Sequence, residues 1–236
     1  MTFSNFKKAY VWQYPVRIFH WLNAICIVVL CITGFIIADP PAIMSNKGAY
    51  EQFWFGWIRM IHFIAAYLFI LAMILRVYWA LSKSVNQFAS WRAFIPFLSR
   101  KGWIKIWYTV KREMLLQTPK KTDVDTEVVG HNPIAIMSYV LMFFLALVMI
   151  ATGFALYEPN ASWFLPKMFK WVVPLLGNDY NVRLIHHLTM WVFILFSIVH
   201  IYLVFFTDWQ EGRGEASAML SGFKFVPEDR IKENNA

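Results

Sequence analysis

Three times along this chain an arginine stands three residues ahead of a histidine at the edge of an apolar stretch: Arg17–His20, Arg59–His62 and Arg183–His186. A fourth histidine, His200, follows His186 by fourteen residues within the same apolar run. An ionisable side chain inside a membrane segment is expensive to bury and marks a functional position by default. Neutral imidazoles are metal ligands. Four of them, placed to pair across helices in apolar surroundings, suit haem iron, which takes axial histidines. A lone membrane histidine is as readily an interhelical hydrogen bonder. Four at two matched depths, two of them in phase on one helix, favour ligation.

The elements that must hold these residues follow from composition. Of 236 residues, 59% are hydrophobic and only 15% are charged, less charge than a water-soluble domain carries. Four runs, roughly 18–38, 58–81, 134–157 and 184–206, reach the about 20 apolar residues that span a bilayer. The expected fold class is therefore all-α integral membrane, a four-transmembrane-helix bundle forming a single domain over 1–236. A loop over 82–133 and a tail over 207–236 complete it. The first run is read as a span and not as a cleaved signal, being too long and holding His20 at its start. Cys26 and Cys31, five residues apart on one helix, point about 140° away from each other and cannot bridge. They read as small core residues. Without a Cys-x-x-Cys-His motif, covalent c-type attachment is excluded.

A formal net charge of +8 would suit nucleic acid, but the charges cluster beside the spans. Nine lysines and arginines lie between Ser82 and Pro133, and Lys7 and Lys8 precede the first run. The other two loops carry only Lys47, Lys167 and Lys170. The positive-inside rule then places both termini and the middle loop in the cytoplasm. The partner implied by the charge is the lipid bilayer, with no nucleic acid.

With the amino terminus inside, His20 and His200 lie near the inner face, and His62 and His186 near the outer face. Fourteen residues rise about 21 Å along a helix and return to within about 40° of the starting direction. His186 and His200 thus look the same way at different depths, stacking two centres across the membrane. His187 is about 220° from His200, so it is expected to pack or hydrogen-bond nearby. Arg17, Arg59 and Arg183 share a face with the histidine one turn on. They suit haem propionates as guanidinium–carboxylate forks, or act as snorkelling anchors. Arg76 is deep for a lone charge and reaches either headgroups, the inner haem or a quinone. Gly34 and Gly153 allow close approach of a flat macrocycle, or of another helix.

The halves share a weak pattern, Thr33-Gly34-Phe35 then Arg59-x-x-His62, and Thr152-Gly153-Phe154 then Arg183-x-x-His186, which is either a repeat of one helix hairpin or coincidence within a biased alphabet. In the middle loop Trp103, Ile106, Trp107, Val110 and Met114 recur at helical spacing between basic residues, the pattern of an interfacial amphipathic helix. The outer loop 162–173, with Trp163, Phe164, Phe169 and Trp171, reads as an aromatic belt, a second interfacial helix or a docking surface. His131, in Gly130-His131-Asn132-Pro133 at the entry to the third span, is either a solvated loop residue or a proton and hydrogen-bond donor to a quinone carbonyl.

Arg17-Ile18-Phe19-His20-Trp21-Leu22, continued through Leu30-Cys31-Ile32-Thr33-Gly34, resembles the first signature of the b-type cytochrome subunit of membrane-bound nickel–iron hydrogenases, a prokaryotic cytochrome b561-like family. Arg183-Leu184-Ile185-His186-His187-Leu188 resembles the second. Gly130-His131-Asn132-Pro133 and Ser217-Ala218-Met219-Leu220-Ser221-Gly222 are also similar, so the resemblance covers nearly the whole chain. It implies a dihaem cytochrome of the bacterial inner membrane that anchors the hydrogenase large and small subunits on the outer face. Two haem b groups are implied, an outer one on His62/His186 and an inner one on His20/His200. Electrons from the small subunit's iron–sulfur clusters would cross the membrane to quinone, with His131 at the quinone site. The chain would then be the electron-transfer subunit of a hydrogen:quinone oxidoreductase. Formate dehydrogenase or thiosulfate reductase cytochrome subunits share this architecture. A stand-alone cytochrome b561-like reductase would need no soluble partner, and an ion transporter would carry no chromophore.

Overall fold

The structure, a computed structural model, describes residues 6–41, 53–82, 103–104, 107 and 133–227. It is mostly helical. Strand β1 (Phe6–Tyr10) leads into helix α1 (Tyr14–Ala38), and α2 (Trp54–Leu81) follows. Helix α3 (Pro133–Tyr157) runs into a 3-10 turn, Glu158–Asn160. Two short helices, α4 (Phe164–Lys167) and α5 (Val172–Leu176), precede α6 (Asp179–Glu211). Helix α7 (Glu215–Ser221) and strand β2 (Phe223–Pro227) close the described chain.

Helices α1, α2, α3 and α6 are long and apolar enough to cross a membrane. Their middles expose large apolar side chains three or four residues apart: Val28 and Ile32, Leu71 and Ile74, Phe144 and Leu147, Leu195 and Ile198. Stripes of this extent are untenable in water and suit acyl chains. Three of the four helices begin about one turn before their apolar runs: α1 at Tyr14, α2 at Trp54 and α6 at Asp179. An apolar run measures the hydrocarbon layer. The helix continues through the headgroup layer, where Arg17, Arg59 and Arg183 and neighbouring aromatic residues are tolerated.

The chain groups into two compact units, one of Met1–Ile18, Arg76–Met142 and Ile201–Ala236, the other of Phe19–Leu75 and Phe143–His200. In the first, the two ends of the described chain meet. β1 pairs antiparallel with β2, from Phe6 opposite Pro227 to Tyr10 opposite Phe223. Val11, Trp12, Val16 and Ala218 form its buried core, with Ala9, Trp79 and Met219 packed against them. Gly222 joins α7 to β2 at φ 87°, and its carbonyl accepts from the amides of Val11 at 2.9 Å and Trp12 at 3.1 Å. A Cβ there would stand 2.5 Å from the Tyr10 ring and 2.8 Å from the Trp12 carbonyl oxygen, so only glycine fits. Lys224 is buried and forms an ion pair with Glu215, while the Glu215 amide donates to Asp208 Oδ1 at 2.6 Å. The expected polar tail is thus in part a folded element, and the all-helical expectation gives way to helices plus a two-stranded ribbon.

In the second unit the segment between α3 and α6 folds back on the span ends. Phe169 stacks on Phe154 at 5.2 Å, Trp163 lies 5.5 Å from the Tyr67 ring, and Val172 joins Ala155 and Val182 in a buried cluster. Phe164 and Trp171 remain exposed. The aromatic loop is therefore divided between packing and surface. Of the interfacial helix expected in the middle loop, Trp103, Ile104 and Trp107 are helical and exposed. The rest of that segment, with His131, lies outside the described residues.

Candidate metal centres

His20, His62, His186 and His200 all belong to the second unit. His20 is in the second turn of α1 and His200 far along α6. Their rings face each other at 6.3 Å between centroids, inclined at 54°. Metal–imidazole bonds of about 2 Å on either side, with the two ring radii added, span about 6 Å. The separation fits a single metal held between the rings. His200 is backed by Phe196, stacked at 5.6 Å and 13°. His20 Nδ1 is buried and has no hydrogen-bond partner among the described residues.

His62, near the start of α2, and His186, near the start of α6, lie within electrostatic range of one another. Each is held by a threonine from the preceding long helix. Thr33 Oγ1 is 2.8 Å from His62 Nδ1, and Thr152 Oγ1 is 2.8 Å from His186 Nδ1. Both threonines are buried, and each also contacts the carbonyl four residues back, Val29 O and Val148 O, at 2.7 Å. The repeat seen in the sequence is thus a repeated contact: one α-helical hairpin, α1–α2, and the pair α3 and α6 present histidine in the same way.

The glycines beside these threonines bear on what the space is for. A Cβ on Gly34 would lie 3.5 Å from Met190 Sδ and 3.7 Å from His62 Cε1. One on Gly153 would lie 3.4 Å from His186 Cε1. These are ordinary contacts, so the protein's own packing accepts alanine at both places. Glycine in a helix interior costs about 1 kcal/mol relative to alanine. Its presence keeps room beside both imidazoles, as a flat ligand between them requires. Among the described residues no three or more His, Cys, Asp or Glu side chains converge. Two imidazoles per centre, with the other positions left to a macrocycle, is the donor set of haem.

The neighbouring residues divide. His187 packs edge-on against Phe35, with centroids 5.9 Å apart. Arg59 and Arg183 are exposed, one turn before His62 and His186. Arg17 instead turns to the terminal module, where Nη1 donates to Leu220 O and the guanidinium lies 5.4 Å from the Tyr14 ring. Arg76 interacts electrostatically with Tyr139. Sequence reasoning passed over Thr33 and Thr152, though the Thr-Gly-Phe repeat contained them. It also passed over Asn23 and Tyr67, whose Oδ1 and hydroxyl are buried without a hydrogen-bond partner among the described residues.

Four apolar spans, three of which carry the four histidines, suit a membrane cytochrome of the b type. The family model described as prokaryotic cytochrome b561 matches residues 11–222, and the chain belongs to that family. It is a multi-pass membrane protein. It is 39% identical over 230 residues to a probable Ni/Fe-hydrogenase B-type cytochrome subunit of Cupriavidus necator, covering 94% of this chain and 88% of the relative. A protein of the same description from Rhizobium leguminosarum bv. viciae is 38% identical over 226 residues, covering 92% and 88%. A probable Ni/Fe-hydrogenase 1 B-type cytochrome subunit of Escherichia coli (strain K12) is 32% identical over 225 residues, covering 94% and 92%.

Proposed function

We infer that the chain is a dihaem b-type cytochrome that anchors a nickel–iron hydrogenase on the outer face of the bacterial inner membrane and passes its electrons to quinone. The observation that carries the reading is the placing of four membrane imidazoles in one compact unit. His20 faces His200 at a metal-bridging distance, and His62 and His186 are each held by a threonine. Relatives described as hydrogenase cytochrome subunits, matched over nearly their whole length, support the partner.

His62 and His186 would hold the outer haem, and His20 and His200 the inner one. Bound in this way, each haem supplies a one-electron carrier in a water-free layer. The apolar walls exclude solvent, and Gly34 and Gly153 leave space for the macrocycle. Arg59 and Arg183 stand on the outer side, where exposed guanidinium groups suit propionate carboxylates. The basic middle loop and both termini face the cytoplasm by the positive-inside rule. The region around His131 would meet quinone on that side, where reduction takes up protons.

The test is reduction by hydrogen. In native membranes holding the whole complex, hydrogen gas alone should reduce both haems, and His62→Ala should abolish that reduction. Haems reduced by dithionite but never by hydrogen would exclude the hydrogenase partner and favour a formate dehydrogenase, thiosulfate reductase or stand-alone role.

A further inference from the structure

A threonine hydroxyl carries one proton, and this decides the chemistry at Thr33 and Thr152. Each Oγ1 has two short contacts: a backbone carbonyl at 2.7 Å and a histidine Nδ1 at 2.8 Å. A carbonyl oxygen cannot donate. If the hydroxyl gave its proton to the ring, two oxygen lone pairs would oppose each other at 2.7 Å. The hydroxyl therefore donates to Val29 O in one case and Val148 O in the other, and the imidazole Nδ1–H donates to Oγ1. Both hydroxyls are buried, so bulk water does not compete for them. Nδ1 is thereby the protonated nitrogen in both rings, and the free lone pair is on Nε2.

The inner pair is built differently. His20 Nδ1 has no hydrogen-bond partner among the described residues, and the His200 ring stacks on the apolar face of Phe196.

We propose that Thr33 and Thr152 are matched positioning residues of the outer centre: they fix both ligands as Nδ1–H tautomers, and the hydrogen bonds they accept lower that centre's reduction potential. The proposal rests on the dihaem reading given above. An imidazole that donates Nδ1–H to an acceptor is a more basic, more electron-releasing ligand. Electron release favours the ferric over the ferrous state, and hydrogen bonding to axial ligands is a recognised lever on haem potential. With the device on His62 and His186 and not on His20, it biases electrons from the outer pair toward the inner pair.

The test uses the purified full chain with haem bound, as wild type, Thr33→Val, Thr152→Val, the double variant, Thr33→Ser and Thr152→Ser. Haem per chain is counted, both midpoints are taken by optical redox titration, and the ferric signals are recorded by low-temperature electron paramagnetic resonance. Each valine variant should keep two haems and shift one midpoint upward, with a larger shift in the double variant. The other midpoint should stay in place, and serine should restore wild-type values. If a valine variant loses one haem while the serine variant keeps both at wild-type midpoints, the hydroxyl is still what holds the ligand. Two haems with unmoved midpoints and signals in the double variant would overturn the proposal while leaving the dihaem reading intact. So would serine variants that behave as the valine ones do. A wild-type chain that binds no haem would overturn both.

Discussion

His20 and His200 come from helices separated by most of the chain, yet their rings face each other at 6.3 Å. Two ligands of one centre must fail alike. His20→Ala and His200→Ala should therefore give the same product, a folded chain with one haem fewer than wild type and the same remaining spectrum. Haem assay and low-temperature absorbance on the two purified variants check this. Different residual spectra would show that the rings serve different centres.

His186 and His187 are adjacent but differently employed. His186 is held by Thr152, whereas His187 lies edge-on against Phe35. His186→Ala should remove the outer haem, and His187→Ala should keep both haems. The count of haem per chain separates them, and the opposite pattern would reverse the ligand assignment.

Gly34 offers a test of space rather than of ligation. A Cβ there meets only ordinary contacts with Met190 and His62. Gly34→Ala should leave the haem-free fold no less stable, with a gain of up to about 1 kcal/mol from helix propensity. It should lower occupancy at the outer centre by crowding the macrocycle. Thermal unfolding of the haem-free protein and haem titration of the same preparation read the two effects separately.

Gly222 should be the most sensitive position of the terminal module. Its positive φ costs a substituted residue about 1–2 kcal/mol, and a Cβ would collide with the Trp12 carbonyl as well as the Tyr10 ring. Gly222→Ala should release the ribbon. Hydrogen exchange should then show lost protection at the Val11 and Trp12 amides, which donate to Gly222 O, while the haem spectra change little.

Much of this architecture was legible in the sequence, for physical reasons. Span length is set by the bilayer, so the four apolar runs identify the long helices. Helical phase depends only on residue count, which is why His186, and not His187, was the one matched to His200. The helix starts were less legible, because hydropathy reports the hydrocarbon edge and not where backbone hydrogen bonding begins.

The ribbon was not legible. Phe6–Tyr10 and Phe223–Pro227 are five-residue strands at opposite ends of the chain, and nothing local in either specifies its partner. Thr33 and Thr152 were hidden for another reason. A threonine in an apolar helix satisfies itself on the carbonyl one turn back, so it reads as structurally neutral. Only the repeat of Thr-Gly before Arg59-x-x-His62 and Arg183-x-x-His186 carried the signal that their oxygens meet these histidines.

The most direct test of the central claim is haem per chain in the purified wild-type protein, with the ferric electron paramagnetic resonance spectrum of the same sample. Two haem b per chain, both low-spin with two imidazole ligands, is the predicted result. A correctly folded chain with no haem, or with one, would contradict the account.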